Sequence, residues 1–89
     1  MTVQAFYVIC ALYDKSATGM FTGLTIKDIQ EQEICEGLSQ SIIYRILTDL
    51  YNKGYVRVGA KVRNAYTYFL TVEGIELYLS ETGGGNNEG

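Results

Sequence analysis

The sequence predicts a single α+β domain: three helices, then a two-stranded hairpin, then a closing helix. Three observations predict it. Hydroxyl residues at 2, 25, 39 and 71 each stand immediately before a segment rich in apolar, helix-compatible residues. Across 55–70 the apolar period switches from 3.6 to 2, with Gly and polar residues between the two halves. The 89 residues, 47% of them hydrophobic and including eight Tyr and three Phe, suffice for one core and no more.

Thr2 caps a first helix over 3–14. Its residues Ala5 to Tyr13 are apolar on every face, and a helix apolar all round is buried all round. A domain this small is expected not to wrap it completely, so a second protomer is expected on its outer side. The contact would use Phe6, Tyr7, Ile9 and Tyr13 of this helix with Leu77 and Tyr78 of the last. Residues 14–24 contain two Gly and several small polar residues, and read as a loop.

Thr25 caps the second helix, with Asp28 as its capping-box partner. Ile26, Ile29 and Ile34 supply the buried side, and a Glu-rich stretch ends at Gly37. Ser39 caps the third helix, which runs to Lys53 with Ile43, Ile46, Leu47 and Leu50 as its core stripe; Gly54 stops it. Residues 55–58 and 65–70 form the two strands, and 59–64 is a turn with a basic, polar tip. Thr71 caps the last helix, 72–81. The domain therefore spans 1–82, followed by a flexible Gly/Asn-rich tail over 83–89.

Charge is unevenly placed. The net charge is −3, yet 39–71 holds Arg45, Lys53, Arg57, Lys61 and Arg63 against Asp49 alone, a local balance of +4. The rest of the chain sets Lys15 and Lys27 against nine acids, or −7. A cationic patch on an acidic body is the footprint that phosphates require, because local field outweighs total charge.

Several function classes drop out. The chain has no His, which removes most zinc sites and histidine-dependent catalysis. No Gly-rich loop precedes a helix in the way a phosphate cradle requires, and Glu31, Glu33 and Glu36 are spaced as a solvated helix face. No enzyme activity, metal or cofactor is expected. Cys10, within the apolar run, is a buried small hydrophobe; Cys35, near a turn, could be exposed, and nothing supports a redox role for it. The nine-residue apolar run is too short to span a bilayer and lacks the basic flank of a signal peptide, so cytoplasmic residence is the default.

The run Leu38-Ser39-Gln40-Ser41-Ile42-Ile43-Tyr44-Arg45-Ile46-Leu47, with Leu50 and Lys53-Gly54-Tyr55-Val56, resembles the winged helix-turn-helix of MarR-like and PadR-like bacterial regulators. Tyr68-Phe69-Leu70-Thr71 with Glu73-Gly74 is similar to the end of the wing in the same superfamily. Plasmid-partition adaptors of the tubulin-type systems share the pattern. The resemblance covers about residues 24–80 and implies a double-stranded DNA partner, a homodimer and, most often, transcriptional repression. Two departures stand out: the segment between Ile29 and Leu38 is about three residues longer than usual, and position 42 is Ile where such families often carry Thr.

If Ile43, Ile46, Leu47 and Leu50 face the core, Gln40, Ser41, Tyr44, Arg45 and Thr48 lie on the exposed face of the third helix. Gln40 and Arg45 suit adenine and guanine edges, and Ile42 could touch a thymine methyl. Ser39 and Ser41 suit phosphate at the helix start. Lys61, Arg63 and Asn64 at the wing tip suit phosphate or the minor groove, while Lys53 and Arg57 widen the patch. Plainer roles stand beside these: Ser39 as a helix cap, Tyr44 as a half-buried core ring, Arg45 paired to Asp49, and the wing cations as solvated turn residues. A winged helix that contacts a protein instead of DNA is the alternative use of the same fold.

Overall fold

The computed structural model describes residues 1–83. Apart from Gly83, the expected tail lies outside the described residues. The elements run α1 (Val3–Asp14), α2 (Ile26–Gln30), a 3-10 turn (Glu33–Cys35), α3 (Gln40–Asn52), β1 (Val56–Val58), β2 (Tyr68–Leu70) and α4 (Val72–Thr82).

The four hydroxyl caps act where the sequence puts them. Thr2 Oγ1 accepts from Ala5 N, Ser39 Oγ from Ile42 N, and Thr71 Oγ1 from Gly74 N, each at 3.1 Å. Thr25 and Asp28 form a reciprocal capping box, with both bonds at 3.1 Å. Each such cap stabilises its helix by about 1 kcal/mol. Thr71 also donates to Gly54 O at 2.7 Å, which ties the end of α3 to the start of α4.

α1 is the centre of the molecule. Its residues Val8, Ile9, Ala11 and Leu12 are fully buried, and they share one core with Ile29, Cys35, Ile43, Leu47, Leu50, Val56 and Leu70. The chain thus wraps most of this helix by itself, though not all of it. Ile9, expected at a subunit contact, has no exposed surface and belongs to the core instead. What stays uncovered is a narrower stripe that includes Val3 and Tyr7. Beside it Tyr78 of α4 stacks on Tyr13 at 3.9 Å between ring centroids and on Phe6 at 6.3 Å. Phe6, Tyr13, Leu77 and Tyr78 are half-buried.

The extra residues between Ile29 and Leu38 go into the turn and do not lengthen α2. The helix ends after five residues, the 3-10 turn takes up the surplus, and Gly37 turns the chain at φ 90°. That geometry folds Cys35 inward: it is fully buried, and its Sγ lies 3.7 Å from Tyr7 O as a weak donor. Ile46 and Ile42 are half-buried at the margin of the core, so the fully buried stripe of α3 narrows to Ile43, Leu47 and Leu50.

The strands pair antiparallel with Val56 opposite Leu70, Arg57 opposite Phe69 and Val58 opposite Tyr68. They are shorter than the period-2 pattern suggests, because the loop after α1 folds back over the hairpin. Leu24 bridges to Tyr68, Ala17 O accepts from Leu70 N at 2.8 Å, and Met20 O accepts from Ala60 N at 2.9 Å. Gly59 makes this approach possible, since a Cβ there would sit 2.5 Å from Met20 O. Beneath the loop, buried Thr67 donates to Ala60 O at 2.6 Å. The hairpin is braced at its base, and only its tip projects.

Candidate nucleic-acid interface

The tip is a tight turn. Val62 and Ala65 exchange both backbone bonds at 2.9 Å, with Arg63 (φ 50°) and Asn64 (φ 64°) as the two central residues. Positive φ at both central positions defines a type I′ turn, the form whose twist matches a hairpin. Asn tolerates this conformation; Arg63 adopts it at a cost set by its Cβ. Lys61 Nζ stands 4.7 Å above the ring centre of Tyr66, a cation–π pair that holds both side chains on the arm of the wing.

On α3 the core stripe turns Gln40, Ser41, Tyr44, Arg45 and Thr48 outward, and all five are exposed. Tyr44 is 57% exposed and so is no core ring. Together with Ile26, Asp49 and Asn52 these five residues line a groove of roughly 720 Å³ along the helix. A second groove, roughly 290 Å³, lies between the helices and the wing and is lined by Thr25, Ile26, Lys27, Gln40, Val62, Arg63, Ala65 and Tyr66. The two share Ile26 and Gln40. Gln40, Arg45, Arg63 and, through Tyr66, Lys61 therefore occupy one continuous surface.

Not every expected residue joins it. Lys53 Nζ pairs with Asp49 Oδ2 at 3.1 Å and borders a different cleft, with Met1, Thr2, Leu77 and Glu81. Asp49 thus takes Lys53 and leaves Arg45 without an ion-pair partner among the described residues, which sets aside the plainer Arg45–Asp49 alternative. Arg57 is exposed on β1 but borders neither groove. Ser39 spends its hydroxyl on the cap and borders a cleft with Glu31, Glu33 and Glu36. Ile42, half-buried, packs against the core and offers little to a base.

One cation escaped the sequence reading. Lys27, counted with the acidic body, stands on the first turn of α2 and borders the wing groove with Arg63. The capping box and the inward Ile29 mark Lys27 as outward-facing. No sequence signal says that this flank of α2 meets the wing. Ile26 and Tyr66 were missed for the same reason, whereas Asn52, four residues after Thr48 on the same face of α3, was within reach of helical spacing. Among the described residues no His/Cys/Asp/Glu group could hold a metal, and no helix is long and apolar enough to cross a membrane.

No protein-family model matches the sequence, and no curated protein matches it either. Solved structures do. A protein of Ralstonia eutropha JMP134 regarded as DNA-binding superposes with a TM-score of 0.71 at 21% identity, covering 91% of this chain and 96% of its own. BpsR of Bordetella bronchiseptica, whose DNA binding is regulated by 6-hydroxynicotinic acid, superposes with a TM-score of 0.69 at 21% identity; the match covers 98% of this chain and 64% of BpsR. At that identity the likeness speaks for the fold alone, and the fold is an α+β winged helix: four helices with a two-stranded antiparallel wing.

Proposed function

We propose that this chain binds double-stranded DNA, with α3 in the major groove and the wing tip on the adjacent backbone or minor groove. The observation that carries this reading is the continuous surface that joins unpaired Arg45, Gln40, Lys27, Arg63 and the Lys61–Tyr66 pair. A helix face with bidentate-capable side chains beside a cationic hairpin tip fits a groove and its flanking phosphates. The two structures named above are described by their DNA binding, and the resemblance to MarR-like and PadR-like regulators points the same way.

Within that reading the chain is a transcriptional repressor that acts as a homodimer. Four surface cations per protomer make a modest electrostatic anchor, so two protomers on one site raise affinity to a useful range. The stripe of Val3, Phe6, Tyr7, Tyr13 and Tyr78, with Leu79, is the surface offered to the second copy. A centromere-binding partition adaptor would use the same surfaces; clustered repeats in the selected DNA would identify it, and a single palindrome would identify a repressor. The test is retention on duplex DNA resin at low salt with elution by about 0.3 M, together with the mass of the free protein in solution. Failure to bind any duplex at low salt rejects the proposal.

One observation favours a second reading, a protein-binding winged helix. In the loop beside the wing Phe21 is 86% exposed and Met20 54% exposed, an apolar pair that a phosphate backbone does not need.

A further inference from the structure

Gln40 stands where the two grooves meet, and its side chain is not free. Its Nε2 donates to Gln30 Oε1 at 3.1 Å. Gln30, the last residue of α2, donates from its own Nε2 to the Leu38 carbonyl at 3.2 Å. The Leu38 carbonyl belongs to the turn that leads into α3, so its position is fixed by the fold. A carbonyl can only accept, which settles which end of the Gln30 amide faces it. The Gln30 oxygen must then point at Gln40, and that in turn decides the orientation of the Gln40 amide.

From this chain of two bonds we infer that Gln30 is a positioning residue that makes Gln40 select adenine in the major groove. The inference rests on the DNA-binding reading proposed above. An amide has two N–H donors and one carbonyl oxygen. The proposal requires that Gln40 give Gln30 the N–H that points away from its own oxygen, which leaves the other N–H and the oxygen side by side. That pair complements adenine, whose N7 accepts and whose N6 amino group donates. A free glutamine could rotate its amide by 180° and offer the opposite order, or turn to a phosphate; anchored on Gln30, it offers one order only. Gln30 reaches no base itself. Its contribution is to remove the wrong rotamers before DNA arrives, which lowers the ordering cost of the contact.

Gln30 is half-buried, and both ends of its amide are satisfied within the protein.

The test uses the full chain with Gln30→Met, Gln30→Glu and Gln40→Ala, each checked for an unchanged thermal midpoint. Gln30→Met keeps length and loses both bonds; Gln30→Glu keeps an acceptor for Gln40 but loses the donor to the Leu38 carbonyl, so it tests the Gln40 contact without the anchor. In the free protein, side-chain amide proton spectra should show one Gln40 proton shifted and protected. That signature should vanish in Gln30→Met and persist in Gln30→Glu. Selection from a randomised duplex pool should then give adenine at one motif position for the wild type. Gln40→Ala should abolish the preference, and Gln30→Met should weaken it by roughly 2- to 10-fold, the range for one hydrogen bond. Binding to unselected duplex should stay within about twofold for Gln30→Met, since no charge changes. Gln30→Glu should keep the adenine while losing affinity for every sequence, because it adds a negative charge. Unaltered Gln40 amide signals in Gln30→Met overturn the relay whatever DNA does. A preference lost in Gln40→Ala but intact in Gln30→Met overturns it too, and leaves the DNA reading standing. A wild type that retains no duplex at all ends both.

Discussion

Lys27 and Lys53 offer a sharp contrast, because sequence position and folded position disagree about which of them meets phosphate. Lys53 follows the recognition helix directly, yet it pairs with Asp49 at 3.1 Å on the side of the molecule near Met1 and Glu81. Lys27 is distant in sequence but borders the wing groove with Arg63. On the proposed DNA reading four cations (Lys27, Arg45, Lys61 and Arg63) face the duplex, and each neutralised phosphate contributes about −0.9 to the slope of log affinity against log salt. The expected slope is about −3.6 per protomer, or roughly a 150-fold loss between 50 and 200 mM salt. Lys27→Ala should reduce the slope to about −2.7, and the same salt change should then cost roughly 40-fold. Lys53→Ala should leave the slope within experimental scatter. Fluorescence anisotropy of a labelled duplex, titrated at four or five KCl concentrations, reads both. If Lys53→Ala flattens the slope and Lys27→Ala does not, the docking surface deduced from the two grooves is wrong.

Four further outcomes follow from the same geometry. Arg45→Ala should relax sequence preference at one base pair, at a cost of about 1–3 kcal/mol in discrimination, while Arg63→Ala weakens all sequences alike; selection profiles of the two variants distinguish the effects. Asn64→Val places a β-branched residue at φ 64° and should cost the wing turn roughly 1–2 kcal/mol, visible as faster hydrogen exchange at Val62 and Ala65 with α3 unaffected. Gly74→Ala directs a methyl into the Tyr55 carbonyl, so α4 must move; urea denaturation should show a loss of about 1–3 kcal/mol. Burial pushes both thiols, Cys10 and Cys35, above the ordinary range, with Asp14 adding to the effect at Cys10. The folded state thus favours the neutral thiol. Its stabilising effect is complete below about pH 8.5, where unfolded thiols begin to ionise, and fades as pH rises beyond. Alkylation at pH 8 should be slow until denaturant is added, and equal rates with and without denaturant would contradict the burial.

The sequence announced its helices through chemistry that acts within four residues. Thr2, Thr25, Ser39 and Thr71 cap where they stand because a cap needs only the next turn. The period switch after Gly54 likewise reports a local choice, so the hairpin was legible before its partners were known. What escaped was set by distant parts of the chain. Cys35 could be read as exposed because nothing local reveals that a 3-10 turn would press it against α1. Ile9 looked available to a second subunit because an all-apolar helix does not say which of its faces the same chain will cover. Lys27 was lost to a tally by segments, for charge becomes a surface property only after α2 is laid beside the wing. The Gln30–Gln40 bond, spanning ten positions, belongs to the same class.

The acids complete the picture of how an acidic chain can present a cationic face. Glu31, Glu33 and Glu36 were legible as a solvated group, but the 3-10 turn gathers them around a cleft beside Ser39, separate from the grooves that Arg45 and Lys27 line. A phosphate drawn to the free N–H groups of that helix start would meet three carboxylates on one side and the cations on the other. On the proposed DNA reading, repulsion from the carboxylates and attraction to the cations would together favour approach from the wing side. Ser39 spends its hydroxyl on the Ile42 N–H beside those carboxylates, which disfavours a phosphate there.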